Sequence, residues 1–440
     1  MPFLFRVVRM ACPTRRAQDG GHARPFGAAG DKALLSTQPT LEPLPSVWRI
    51  VAYRRLWLAT VVMALANECE RLAVGWIVLV ETDSVFLTAV SFAVRKAPTT
   101  LVAPVAGEIS DRVPRSRLLA VTALYKAVIV ALLGSTTLGG GVDVTWLFVL
   151  VALGGLAQPF EISGTQGLIT DIVPRPQAMR ALALQSTGAK AVGALGSLVG
   201  GLAIAGLSAT APFLVGAGAF VGAAAGMMTI PPDRRGAHTR VIIHPRILVE
   251  SARALVGLAG RPVIRTLLVT AFVVEVFGFA FGAVLPTIAR DVLDADARGL
   301  GALSLMVGLG SVVGMVGLAM AGDVRKKGRL LIAVTIGYGA ALVALAASNV
   351  FAASLVIVMG VGAMAALFDA IQWTLLQQRV PDDLRGRVIG GWVLAISFGW
   401  IGQLALGAAS QVFGVQWALG AAGAMVAATG AAACGRLRNR

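Results

Sequence analysis

The sequence is poor in residues that build metal and nucleophile sites, with only three histidines and three cysteines among 440 residues. The histidines lie in polar segments, and the cysteines are scattered over a tail and two apolar runs: His22, His238, His244, Cys12, Cys69 and Cys434. Scattered cysteines imply no disulfide framework. Histidines confined to polar segments exclude a metal site or a histidine relay within the apolar runs. We therefore expect no metal and no organic cofactor.

Charged residues are also scarce, at 14% against 57% hydrophobic residues, and the mean hydropathy is +0.79. This composition excludes a water-soluble domain. The apolar residues form blocks of about 20 residues, long enough to cross the hydrocarbon core of a bilayer as helices, which satisfy their own backbone hydrogen bonds. The blocks predict an all-α integral membrane protein with twelve spans, at 56–80, 85–106, 118–138, 145–170, 181–207, 211–230, 266–289, 299–321, 329–348, 351–376, 388–410 and 415–434.

Nucleotide-binding and catalytic patterns are missing as well. The sequence contains no Gly-x-x-x-x-Gly-Lys-Ser/Thr pattern, which disfavours a pump driven by ATP. The spans show no nucleophile–base or metal constellation, and the loops are too short for a soluble catalytic domain. We do not expect an enzyme.

The net charge of +16 is explained by topology. If both termini are cytoplasmic, 31 of the 38 Lys and Arg residues lie in the tails or inward-facing loops. The outward loops contain only two basic residues, Arg290 and Arg298, among several acids. This positive-inside distribution predicts a multi-pass protein of the plasma membrane with cytoplasmic termini and basic loops near anionic lipid headgroups. A nucleic-acid partner is not expected.

Two landmarks recur at nearly one interval. The segment 107–117 resembles the segment 319–329, with Asp111 and Asp323 separated by 212 residues, and Val173-Pro174 recurs as Val380-Pro381 after 207 residues. Such repeats indicate duplicated halves, which are common in membrane transporters. We predict a disordered basic tail (1–47), a six-helix bundle (48–230), a cytoplasmic linker with an amphipathic helix (231–265) and a second six-helix bundle (266–440).

The repeated segment resembles the loop between helices 2 and 3 of the major facilitator superfamily. Residues 380–387, Leu285-Pro286 and the glycine-rich fifth span are similar to its bacterial drug, macrolide and siderophore exporters. The resemblance implies two pseudo-symmetric six-helix bundles around a cavity that opens alternately to each side. It also implies a gating loop made of Gly107, Asp111, Arg112, Arg115, Arg117, Asp323, Arg385 and Arg387.

In that gating loop, Gly107 would permit close packing, Asp111 would cap or bridge a helix end, and the arginines would complete a charge network. The alternative is that the arginines serve only the positive-inside topology. Residues 193–201 resemble the family's antiporter motif, with Ser197 in place of its proline. A simple glycine-packed helix interface explains the same residues.

Ionisable residues inside the spans are the candidate functional residues, because each costs about 2.5–3.5 kcal/mol at a helix centre unless it faces a partner or a wet cavity. Four acids are candidates for proton coupling: Glu68, Glu70, Glu275 and Asp369. Candidates for the substrate cavity are Asn67, Arg71, Arg95, Lys96, Lys126, Glu161, Lys190, Gln372 and Trp373. The alternative is that the acids neutralise the cations in fixed structural pairs.

The resemblance implies a monomeric secondary transporter, with the proton gradient as its energy source. We expect it to export an amphipathic small molecule in exchange for protons. Two alternatives stay open: uptake or movement of a lipid-like anion, and a membrane sensor or scaffold that transports nothing.

Overall fold

A computed structural model describes residues 46–138, 142–231, 262–322, 326–379 and 398–437. Within these ranges all regular structure is helical, which confirms the predicted all-α class. Most of the predicted tail and linker lies outside the described residues, as do Asp323, Arg385 and Arg387.

The first predicted half begins with a 3₁₀ turn, Val47–Arg49. Its helices are α1 (Val51–Thr82), α2 (Val85–Arg112), α3 (Arg115–Ser135), α4 (Val144–Gly155), α5 (Gln158–Ile172), α6 (Arg175–Gly206) and α7 (Ala211–Met228). The second half contains α8 (Pro262–Val273), α9 (Phe281–Thr287), α10 (Ala297–Ala321), α11 (Lys327–Ala347), α12 (Phe351–Arg379), α13 (Gly399–Phe413) and α14 (Val415–Leu437). Two π-helical turns, Val274–Gly278 and Ile288–Val292, flank α9.

Nine helical stretches of the described chain are long and apolar enough to cross a membrane, or ten if the two parts of α2 form one span. α4 with α5 forms one such stretch (Val144–Ile172), and the segment from α8 to the second π-turn forms another (Val263–Val292). With α2 included, two of the twelve predicted spans are missing from this count. α1 has 32 residues but carries Glu68, Glu70 and Arg71, and α13 is described only from Gly399.

Three spans are interrupted near the middle of the protein. The two parts of α2, Val85–Thr100 and Val105–Arg112, meet at 57°. Between α4 and α5 the backbone tightens, because the amides of Leu156 and Ala157 donate to carbonyls three residues earlier. In the seventh predicted span, Pro286 lacks an amide donor inside α9. Breaks of this kind often accompany functional sites in helical proteins.

The helix packing of the first half recurs in the second. In the first half α2 packs on α4 and α5, α3 packs on α7, and α1 packs on α6 and α7. In the second half α10 packs on α12, and α11 packs on α14. Between the halves, α6 packs on α10 and α2 packs on α13. The interface of α6 with α10 is close because a Cβ at Gly301 would lie 3.4 Å from the Cα of Gly201.

Candidate functional site

A cavity of about 490 Å³ lies between the predicted halves. Six charged side chains and one amide predicted as site residues line it: Asn67, Glu68, Arg71, Arg95, Lys126, Glu161 and Lys190. The remaining lining residues are small or polar, and Val307 is the largest apolar side chain among them. The cavity wall therefore carries charges from α1, α2, α3, α5 and α6 among small side chains.

A largely buried ion-pair cluster contributes Arg95 and Lys126 to the wall, whereas the acid to which they bind, Glu70, does not line the cavity. Glu70 is only 1% exposed, and its carboxylate accepts hydrogen bonds from Lys126 Nζ (2.9 Å) and Arg95 Nη1 (3.1 Å). Lys126 is 2% exposed, and its Nζ lies 5.4 Å from the centre of the Phe220 ring. Both cations bond to the same acid, so Glu70 has a donor on each carboxylate oxygen.

Glu161 joins this cluster through an amide. Asn67 Nδ2 donates to Glu161 Oε2 at 3.1 Å, and Arg95 Nη2 donates to the carbonyl oxygen of Asn67 at 3.3 Å. The other oxygen, Glu161 Oε1, is buried and has no hydrogen-bond donor. Glu70, Arg95, Lys126 and Glu161 together carry no net charge when both acids are ionised.

Three further predicted charges of the first half, Glu68, Arg71 and Lys190, line the cavity. Arg71 Nε donates to Glu68 Oε2 at 2.8 Å, and both side chains are about one third exposed. Ser197 Oγ also donates to Glu68 Oε2, at 3.4 Å. Lys190 is exposed on α6 and interacts electrostatically with Asp369 of α12, which is also exposed.

The pair of Lys96 with Glu275 joins the two halves close to the cavity region. Lys96 Nζ of α2 donates to Glu275 Oε1 at 2.6 Å, and Glu275 belongs to the π-helical turn Val274–Gly278. Gly399 at the start of α13 leaves room for this pair, because a Cβ there would lie 2.5 Å from Glu275 Oε1 and 2.6 Å from Lys96 Nζ. Neither Lys96 nor Glu275 is among the residues that line the cavity.

Gln372 and Trp373 do not occupy the predicted positions on the cavity wall. Gln372 is 2% exposed, and its Nε2 donates to the carbonyl oxygen of Leu267 at 3.1 Å. The amide therefore joins α12 to α8 instead of facing a solute. A shared helix face predicts which residues of α12 point to the same side, but it does not determine which neighbour that face contacts.

The gating loop forms an ion-pair network centred on Arg115. Its guanidinium pairs with Asp111 (2.7 Å), with Asp171 of α5, and with the carbonyl oxygen of Gly167 (3.2 Å). Arg112 pairs with Glu108 on its own helix, and Arg117 is exposed. Close packing at Gly107 is not observed: an added Cβ would meet no atom of the described residues within 4 Å.

The opposite end of the cavity, predicted to face outward, is bridged between the halves. Arg290 of the second π-turn donates to Asp83 Oδ1 (2.6 Å) and to the carbonyl oxygen of Leu79 (2.9 Å) in the first half. Ser84 Oγ contacts Gln411 Oε1 at 3.2 Å. We did not predict Arg290 as a site residue, although a basic residue in acidic outward loops is a usable signal.

Replacing Arg290 with alanine should loosen this bridged end. The bridge is partly exposed, so its loss should cost about 1 kcal/mol, or roughly fivefold in the ratio of closed to open protein. A cysteine at Ala283, which is buried against Ala89 and Phe92 of α2, should then react several-fold faster with a polar maleimide. Asp291→Asn is the matched control, since it leaves the Arg290–Asp83 contact intact. Equal labelling rates in the two variants would contradict the bridge.

These features together define a class of protein. Apolar helical spans enclose a charged cavity between two similarly packed halves, and an ion pair bridges the halves at one end. This is the architecture of a membrane transporter. The chain matches the Major Facilitator Superfamily over residues 56–402 and belongs to that family.

Individual relatives agree with this assignment. The multidrug efflux pump Tap of Mycolicibacterium fortuitum is 25% identical over 365 residues, which cover 81% of this chain and 88% of that protein. The inward-facing crystal structure of a bacterial homologue of the human lysosomal transporter Spinster superposes with a TM-score of 0.67 at 13% identity, covering 88% of this chain and 98% of that chain. A D-xylose–proton symporter gives 0.64 at 15% identity, covering 87% and 97%. The solved structures show the fold alone.

Proposed function

We propose that this transporter exports an amphipathic small molecule in exchange for protons, by alternating access. The observation that carries the proposal is the charged cavity between the halves, in which carboxylates and cations are held in an otherwise apolar protein. Charges cost too much inside a membrane to be kept without partners or a function. The efflux pump Tap, a relative over most of the chain, supports export as the direction.

The conformation is compatible with loading from the cytoplasm. Arg290 bridges the end predicted to face outward, whereas a Cβ added to Gly107 at the other end would meet no atom of the described residues within 4 Å. The distribution of basic residues supports cytoplasmic termini, a plasma-membrane location and contact of the inner loops with anionic headgroups. We infer that one chain suffices for transport, since the cavity is built from its own helices.

The proposal is tested in proteoliposomes with ethidium, an amphipathic cation, as the probe. An acidic lumen should speed ethidium accumulation several-fold over vesicles with equal pH on both sides. Ser304→Trp should reduce this movement to the level of protein-free liposomes, because Ser304 lines the cavity. Val313→Trp is the matched control, since Val313 lies on the same helix and is 57% exposed away from the cavity lining.

Each alternative predicts a distinct result. Accumulation that depends on the cavity but not on the pH gradient would contradict proton coupling. Faster movement of ethidium away from the acidic side would favour uptake with protons. Absence of cavity-dependent movement would contradict the proposed substrate class, and a sensor or scaffold would then be favoured.

A further inference from the structure

Glu161 differs from the other acids of the cavity region in how its oxygens are satisfied. Oε2 accepts one hydrogen bond from the Asn67 amide, and Oε1 is buried without any donor. No other carboxylate oxygen in the described part of the chain is in this condition. A buried acceptor without a partner is unfavourable, and more so when it carries charge. The geometry therefore favours the neutral carboxyl form at this position.

Three of the acids predicted for proton coupling have stronger partners than Glu161. Glu70 bonds Arg95 with one oxygen and Lys126 with the other, and Glu68 and Glu275 each contact a cation directly. A proton on any of these carboxylates would leave a cation without its acid, which is costly where the cation is buried. Asp369 forms no ion pair with the described residues either, but it is exposed and does not line the cavity. Among the acids that line the cavity, Glu161 is therefore the one that can gain a proton without breaking a direct ion pair.

The ionised form of Glu161 is nevertheless accessible. Arg95 of α2 and Lys126 of α3 attract it, whereas Glu70 of α1 repels it. Glu68 and Arg71 of α1 and Lys190 of α6 also face the cavity that Glu161 lines. Both cations next to Glu161 are already bonded to Glu70, so their attraction is shared between two acids. A residue that exchanges protons must have both its neutral and its ionised form accessible.

The local backbone couples Glu161 to the cluster. Glu161 lies in the first turn of α5, directly after the tightened turn at Leu156 and Ala157. Gly155, just before that turn, packs directly against the backbone carbonyl of Arg95. A rearrangement at this break would therefore shift Glu161 relative to Arg95 and Asn67.

We propose that Glu161 takes up and releases the coupled proton, whereas Glu70 is the fixed counter-ion of Arg95 and Lys126. This inference rests on the proposed exchange function. A hydronium ion from the cavity gives its proton to the Glu161 carboxylate, and water accepts the proton in the reverse step. Protonation raises the charge of Glu70, Arg95, Lys126 and Glu161 from zero to +1, which repels a cationic solute. Release of the proton restores the Glu161 carboxylate, which can then bind the cationic group of the solute.

Infrared difference spectroscopy of the full chain in liposomes, titrated with pH and without any solute, tests the assignment. The probe is the proton itself. The band of the protonated carboxyl group should disappear in Glu161→Gln and persist, at a shifted titration midpoint, in Glu161→Asp. It should be unchanged in Glu68→Gln, the matched control on the cavity wall. A band that is lost in Glu68→Gln and retained in Glu161→Gln would overturn the assignment.

The ethidium assay separates this inference from the proposed function. Wild-type protein that ignores the pH gradient would contradict proton exchange, whatever the infrared result. If wild-type protein responds to the gradient, Glu161→Gln should lose that response while ethidium still equilibrates through the cavity. A gradient response that persists in Glu161→Gln would leave proton exchange intact and refute the role of Glu161.

Discussion

Replacing Glu70 with glutamine should lower the free energy of unfolding by about 3–5 kcal/mol. Glu70 is the one acid bonded to both Arg95 and Lys126, and it is almost completely buried. Without the negative charge of Glu70, the cations Arg95 and Lys126 repel each other, and only the carboxylate of Glu161 remains nearby to attract them. The loss should appear as a lower midpoint of thermal unfolding for protein purified in detergent.

Two further variants make this expectation specific. Glu68→Gln, two residues away on α1, should change the stability by less than about 1 kcal/mol, because the Glu68–Arg71 pair is exposed to the cavity. Adding Lys126→Met to Glu70→Gln should recover part of the loss, since the surplus buried charge is removed together with its partner. Equal stabilities of Glu70→Gln and Glu68→Gln would show that the buried cluster does not stabilise the fold.

The existence of such a cluster follows from the sequence, but its pairing does not. Charges within apolar spans must meet partners or water, which correctly directs attention to Glu70, Arg95 and Lys126. Their partners are 25 and 56 residues apart along the chain, so only helix packing decides which cation meets which acid. The same limitation explains why the sequence does not predict the position of Gln372, whose side-chain amide donates to the carbonyl oxygen of Leu267 instead of facing the cavity.

The interruptions of the helices are also difficult to predict from the sequence. Apolar blocks predict continuous spans, and the family resemblance supplies their arrangement. Hydropathy does not reveal the tightened turn before Glu161 or the π-turn that carries Glu275. These interruptions nevertheless determine which oxygen atoms are satisfied, and hence which acid we assign to the proton.

The repeated halves are similar in packing and different in charge. The ion-pair cluster around Glu70 lies between helices of the first half alone. Glu275 of the second half instead pairs with Lys96 of the first half. An ion pair between the halves exists only while they are close at that point. It can therefore stabilise one conformation of the transport cycle over the other, which a cluster within a single half cannot do directly.

Reversing the charge of Glu275 should consequently impair transport more than stability. In Glu275→Lys two ammonium groups would meet at the interface between the halves. The conformation in which the halves touch at this point would be destabilised by on the order of 1–3 kcal/mol relative to the conformation in which they separate there. Ethidium accumulation should fall by an order of magnitude, and a cysteine at Ala283 should label faster. The double reversal Lys96→Glu with Glu275→Lys should restore much of the transport, because the pair is re-formed with opposite polarity.

Gly399 provides an independent test of the same contact without altering any charge. Gly399→Ala should push Lys96 and Glu275 apart, because the added Cβ would lie 2.5–2.6 Å from their paired atoms. Gly360→Ala is the matched control in the same half, since a Cβ there would meet no atom of the described residues within 4 Å. We expect Gly399→Ala to reduce transport, as Glu275→Lys does. Gly360→Ala should transport as wild type does. If the double reversal stays as inactive as the single one and the two glycine variants are indistinguishable, the contact between the halves does not control the cycle.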